Sequence, residues 1–412
     1  MTRPSLPRCA RSLAAALLLL GAAAPRQLGA QDRVVVRPEP GTPMVAMEVL
    51  IAAGPADEAP EQAGLAYLTA RAATRPIRPI LDSLGAHLTL QAHKDALSFT
   101  LLAAPDAWRE ASRTLLVALF RDPADSIATV RERAALRAEL IGREASPADA
   151  LAREVDAAVF GPEHPWRRPA AGYSRTVEKL RLTDVDGFLR AHLVPERTVV
   201  AVVGPVDAAG AREHLAPFFR GTAWQPPGVE PAAPLDSPIR QDYNSITAWI
   251  AASYPFPADV DAEAVRLLGE LVVEGLSFGP SRRSVYNARA EVVRRAEGGE
   301  LRIQIVVPPR EVDAWAGRID EAVAQYAQRA LPSARFAERV RRFRGLRLRE
   351  LDTPEARAQT AAREAFLGGD AAGRLVELDA LDAEGLLSVA RALRRPTLVV
   401  LGPFEGAPSG GR

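Results

Sequence analysis

The stretch Arg197-Thr-Val-Val-Ala-Val-Val-Gly-Pro205 decides the architecture because the chain carries it twice; Arg395-Pro-Thr-Leu-Val-Val-Leu-Gly-Pro403 repeats it near the other end. Each is a run of β-branched and aliphatic residues closed by Gly-Pro, which reads as a buried strand ended by a turn. Their upstream partners correspond as well. Met44-Val-Ala-Met-Glu-Val-Leu-Ile-Ala-Ala53 and Ile246-Thr-Ala-Trp-Ile-Ala-Ala-Ser253 are both strand-like runs that lead through a loop into an apolar helix. A repeat of about 200 residues is too long for a solenoid and suits two homologous domains. The expected division is a leader over 1–30, a first domain over 31–224, a Pro- and Ala-rich linker over 225–237 and a second domain over 238–412.

Between these strands the pattern alternates. Helices are expected over Gly64–Ala73, Ala107–Phe120, Ser126–Arg143 and Ser146–Phe160, with two short strands inside Leu88–Leu102. The second half repeats the theme, with helices over Asp261–Glu274, Val312–Ala330 and Ala334–Arg349 and a strand over Leu301–Val307. Long helices between mostly antiparallel strands imply two α+β domains, each a sheet with helices packed on one face.

Composition narrows the function. The chain has 412 residues, 48% hydrophobic, and a formal charge of +1, enough for two cores and without a basic excess for nucleic acid. Arg3, Arg8 and Arg11, the apolar run Leu13–Ala24 and the small residues before position 31 read as a secretory signal, cleaved after Ala30 or, as a second choice, after Ala24. The apolar run is too short to span a bilayer, and no later segment qualifies. The expected location is therefore periplasmic or extracellular. Cys9, the only cysteine, leaves with that leader, so the mature chain has no disulfide and no cysteine ligand.

One constellation carries chemistry. The run Gly54-Pro-Ala-Asp-Glu58, followed by Gly64-Leu-Ala-Tyr-Leu-Thr-Ala-Arg71, resembles the start of the insulinase-like peptidases, the group of pitrilysin and the mitochondrial processing peptidase. There a strand and a Gly/Glu loop precede Gly-Leu-Ala-His-x-x-Glu-His. The resemblance implies two histidines holding zinc through neutral imidazoles, with a glutamate between them as general base. Here those positions are Tyr67, Ala70 and Arg71: a poor ligand, a side chain that moves no proton, and a permanent cation that repels a metal. The family's third ligand and a glutamate seven residues before it match Glu139 and Glu132. Both read as solvated helix residues, pairing with Arg71 or neighbouring arginines. The family zinc is expected to be absent, and with it any cofactor.

His164-Pro-Trp-Arg-Arg-Pro-Ala-Ala-Gly172 resembles the family's His-Pro-aromatic loop, while Phe160-Gly-Pro-Glu163-His164 reads as a turn. In the second half, Ser281-Arg-Arg-Ser-Val-Tyr-Asn-Ala-Arg289 resembles the segment leading to the Arg/Tyr pair with which relatives approach the substrate backbone. No tyrosine here lies seven residues after an arginine, so Arg282, Arg283 and Tyr286 are the candidates for peptide contact, or solvated residues near a helix start. The resemblance implies half of a clamshell that encloses peptide or unfolded polypeptide and pairs with an active zinc peptidase of the same family. Two alternatives stand beside it: a zinc endopeptidase with an unusual ligand set such as Glu139 with His87 or His93, and a stand-alone periplasmic peptide-binding module.

Overall fold

The computed structural model describes residues 33–219, 238–278, 285–295, 298–368 and 381–404. The first half contributes β1 (Val34–Pro38), β2 (Val45–Ile51), β3 (His87–Ala92), β4 (Leu97–Ala103) and β5 (Thr198–Gly204). The second contributes β6 (Ile239–Asp242), β7 (Ala248–Pro257), β8 (Asn287–Arg295), β9 (Gly298–Val307) and β10 (Thr397–Gly402). They form two five-stranded sheets of one topology, β1-β5-β2-β4-β3 and β6-β10-β7-β9-β8. In each, the first and last strands of the half run parallel and every other pair is antiparallel. The two Gly-Pro-closed runs become β5 and β10, equivalent strands at equivalent places.

The first half also holds α1 (Leu65–Thr74), α2 (Arg78–Ser83), α3 (Trp108–Phe120), α4 (Ser126–Glu144), α5 (Pro147–Phe160), α6 (Ser174–Val177), α7 (Leu182–His192) and α8 (Ala208–Phe219). The second holds α9 (Ala262–Phe278), α10 (Val312–Gln328), α11 (Ser333–Glu350), α12 (Pro354–Phe366) and α13 (Ala383–Ala392). Local chemistry sets several starts. Asp125 accepts from the Ala128 amide to cap α4, Ser146 with Pro147 opens α5 a residue after α4 ends, and Thr353 with Pro354 opens α12.

The expectation of helices on one face only is overturned. Along β2, Val45, Met47, Val49 and Ile51 pack on α1, α3 and α7, whereas Leu50, with Ala52 just past the strand's end, packs on Ala361, Ala362, Ala365 and Phe366 of α12. The second sheet mirrors this. Its Ile250 and Ala252 face α9 and α10, while Ala251, Val399 and Leu401 meet Leu151, Val155, Ala158 and Val159 of α5. Each half therefore lends one helix to the outer face of the other half's sheet. The continuous burial of β5 follows, since a strand covered on both faces has no solvent side to alternate with.

Candidate functional site

The site begins with the start of α1. Glu58 is buried, and its two carboxylate oxygens accept from the amides of Gly64 (3.0 Å) and Ala66 (2.7 Å), satisfying donors that open the helix. Burial pushes its carboxyl up to about 7 despite those bonds and the nearby Arg168. Gly64 adopts φ +97 and Gly172 φ +76, and a Cβ on Gly172 would stand 2.2 Å from the Ala63 carbonyl oxygen. The loop that starts at His164 thus lies directly against the start of α1. Lys94 fastens it by donating to the Trp166 and Arg168 carbonyls (2.8 and 2.6 Å), and Arg168 donates onward to the Pro55 and Glu58 carbonyls.

One turn further on, Tyr67, Ala70 and Arg71 share α1 but not an environment. Ala70 is fully buried in the first core, and Tyr67 is half-buried with the Arg71 guanidinium over its ring at 5.5 Å. Arg71 Nε donates to Glu132 Oε2 and Arg71 Nη1 to Glu139 Oε2, both at 2.8 Å; Arg75 takes the other Glu132 oxygen at 2.6 Å. Glu132 is only 4% exposed. It is therefore no solvated surface residue but a buried carboxylate held by two guanidinium groups. Burial opposes its ionisation, yet the bonds from Arg75 and Arg71 outweigh that and lower its pKa, and Glu132 and Glu139 raise that of Arg71 in return.

These residues do not fit zinc. The carboxylates that would face it are occupied by Arg71, and its guanidinium nitrogens have no lone pair to offer. Among the described residues no group of three or more His, Cys, Asp or Glu is placed to hold a metal. His87 opens β3 and His93 follows its last residue; both are exposed.

Beside Tyr67 lies a cleft of about 380 Å³, lined by Gln91 of the edge strand β3, Arg143 and Glu144 of α4, Arg153 of α5, and Tyr173. It adjoins a second space of about 240 Å³, with which it shares Lys94 and Asp156, and this one reaches the other sheet's edge strand at Glu291 and Arg294 of β8. A third, of about 360 Å³, continues under α12 to Glu48, Arg363 and Gln359. Among the described residues the edge strands of both sheets, β3 and β8, thus line these three neighbouring spaces, which together form the cleft.

A charged chain at this seam was not identified from sequence. Lys94 pairs with Asp156 (2.7 Å), Asp156 with Arg302 (2.6 Å), and Arg302 with Glu300 (2.8 Å), which also meets Arg295 (2.9 Å) and Ser253. Burial alone would raise the Glu300 carboxyl, but Arg302 and Arg295 hold it down at about 2. The visible signal was Glu300, Arg302 and Gln304 alternating with the apolar residues of the strand.

Arg282 and Arg283 lie outside the described residues. Tyr286 is 64% exposed and its amide bonds to the Val306 carbonyl at the start of β8, so this segment leads into a strand, not a helix. The extended run Asn287–Arg295 was missed because its polar, Arg-rich sequence fits a sheet edge rather than a core strand. Arg289 is bound to Gln304 on the neighbouring strand.

No family model matches the sequence. Over 101 residues the chain is 38% identical to an uncharacterized zinc protease of Mycobacterium leprae, a stretch covering 23% of this chain and 22% of that protein. Over 88 residues it is 38% identical to an uncharacterized zinc protease of Mycobacterium tuberculosis H37Rv, 20% of each. The match thus spans about a fifth of the length of these curated relatives. Among solved structures, the peptidase M16 inactive domain from Pseudomonas fluorescens superposes with a TM-score of 0.78 at 15% identity, over 91% of this chain and 96% of that one. A protease from Helicobacter pylori gives 0.76 at 17% identity, over 90% and 97%. These likenesses show a shared fold over nearly the whole length.

Proposed function

We propose that this chain, whose fold is that of the insulinase-like (M16) peptidases and which resembles zinc proteases over about a fifth of its length, is a non-catalytic member that holds peptide for an active zinc-peptidase partner in the cell envelope. The observation that carries the reading is the Arg71 clamp. Where the resemblance implies a divalent cation, the chain has a tethered monovalent one bound to Glu132 and Glu139. A guanidinium can hold those carboxylates and the helices that bear them, but it cannot activate water. Ala70, in the general-base position, offers no group to take the proton.

The cleft supports the holding role. Edge strands present unpaired backbone donors and acceptors, so an extended peptide can add to β3 or β8 without any catalytic residue. Charges of both signs line the walls, which suits varied polypeptide better than one small molecule. Because both sheets of a single chain face the cleft, the stand-alone peptide-binding module is the second reading.

Affinity capture of the tagged protein from its native envelope, followed by peptide cleavage assays on the chain alone and on whatever accompanies it, tests the proposal. The expected result is recovery of a relative with an intact His-x-x-Glu-His, and cleavage only when that relative is present. Peptide binding by the chain recovered alone, without cleavage, selects the stand-alone reading. Cleavage by the isolated chain, stopped by chelator, contradicts both.

A further inference from the structure

We propose that the space of about 240 Å³ between the two sheets is a carboxylate pocket, which takes the free carboxylate of a held peptide, at its C-terminus or on an acidic side chain. This pocket presupposes the peptide-holding role and gives the cleft a chemistry by which to select its occupant. Ala92 at the end of β3 and Val293 of β8 bound it, and it shares Lys94 and Asp156 with the larger space beside Tyr67.

Two donors in its walls have no acceptor. Trp166 is 3% exposed and Arg302 9%, both residues line the space, and neither Trp166 Nε1 nor Arg302 Nε has a hydrogen-bond partner among the described residues. Arg302 reaches both Asp156 and Glu300 through Nη2. Leaving a buried donor unpaired is costly, and folded proteins hold few such groups. The indole is also fixed in place, since it meets Phe160 and His164 edge to face, with ring centroids 5.6 Å away in each case. Donors held this way are set for an acceptor from outside the chain.

The charges select that acceptor. In the buried ion chain Lys94, Arg302 and Arg295 meet only Asp156 and Glu300, three cations to two carboxylates, so a single monoanion completes it. Two other lining arginines are already matched, Arg363 by Asp95 and Arg294 by Glu364. Glu291 stands opposite Arg302 on the neighbouring strand, but it is exposed and forms no ion pair among the described residues. A carboxylate brings one charge and two acceptor oxygens, one for each donor. A space of this volume is about 6 Å across, so a carboxylate inside it lies within about 3 Å of donors on opposite walls. A phosphate group, at about −2, overshoots the single missing charge.

Calorimetric titration of the full chain with one short peptide lacking acidic side chains tests this, the peptide being prepared with a free C-terminus, as the C-terminal amide, and as the amide carrying one glutamate. At least one carboxylate form should bind about tenfold or more tightly than the plain amide, the size expected for hydrogen bonds to a charged group. Which form does so separates the C-terminal source from the side-chain source. Trp166→Phe removes the indole donor, and the ratio of acid to amide affinity, which a general loss of packing leaves alone, should fall about tenfold. Glu291→Gln, at an exposed position that leaves the fold intact, should raise the same ratio about threefold by removing a like charge. Equal binding of all three peptides, the result if water alone fills the space, overturns the carboxylate pocket and leaves peptide holding intact. So does a ratio that neither variant moves. Binding of none of the three contradicts peptide holding itself, and the pocket with it.

Discussion

At Arg71 a single positive charge lies between two carboxylates on the neighbouring helix, and it is the attachment of that charge to α1 that distinguishes it from a metal. An ion can leave; a guanidinium takes its helix with it. Removing it by Arg71→Ala leaves Glu132 with Arg75 alone and Glu139 without its shorter partner. The expected cost is about 2 kcal/mol, less than for a fully orphaned buried charge because Arg75 remains. Urea denaturation at pH 7 measures it. Arg71→Lys should recover only part of the loss, since one ammonium cannot reproduce the two-pronged contact.

A second residue-scale effect comes from Glu48, fully buried on β2 beneath α12, where its carboxylate accepts from Ser98 and from Thr100 (2.6 Å). Burial pushes its pKa from the ordinary 4.5 up to about 7. The folded-state value is the higher one, so its contribution is complete below about pH 4.5 and is lost as pH rises to about 7. The size is roughly 3 kcal/mol. Glu58 acts in the same window. Glu48→Gln should therefore leave stability at pH 4.5 nearly unchanged, raise it at pH 8, and reduce the fall in stability between, as followed by urea midpoints across that range.

At the scale of elements, the exchange of α5 and α12 ties the halves together. Arg363 of α12 reinforces it through a paired contact to Asp95 (2.9 and 2.6 Å), and Asp156 of α5 does so through Arg302. Expressed alone, residues 33–219 would expose the Leu50, Val199 and Ala201 face of their sheet and leave α5 without a sheet to cover. Each half alone should be insoluble or bind a hydrophobic dye, and co-expression should recover a soluble complex. Two soluble, independently melting halves would show that the exchanged helices contribute little.

The helices α1, α3, α4, α5, α9, α10 and α11 and the inner strands were legible in the sequence because apolar periodicity reports burial, whereas α2, α6, α7, α8, α12 and α13 were not among the expected elements. The strands β5 and β10 stood out for the same reason. The exchange was not legible: the apolar positions of α5 and α12 state that one face is buried but not which sheet buries it. Likewise β8 lacks the alternation of a half-buried strand. At the candidate site, Tyr67, Ala70, Arg71, Glu132 and Glu139 were all named from the resemblance to the insulinase-like peptidases, and the pairing of Arg71 with the glutamates was within reach of opposite charge. The burial of Glu132 and the second arginine, Arg75, required the packing of α1 on α4.

For the molecule as a whole, two sheets of one topology face a shared cleft with their free edges. A chain of ion pairs through Lys94, Asp156, Arg302 and Glu300 crosses between them. We propose that this arrangement retains a peptide-holding cleft while Arg71 takes the place of the catalytic cation. Zinc content decides that claim most directly. The purified mature protein, incubated with excess zinc and freed of unbound metal, should carry far less than one zinc per chain by mass spectrometric metal analysis, and Arg71→Ala alone should not raise it to one. One tightly held zinc per chain, removed by chelator and competing with the Arg71 contact, would contradict the account.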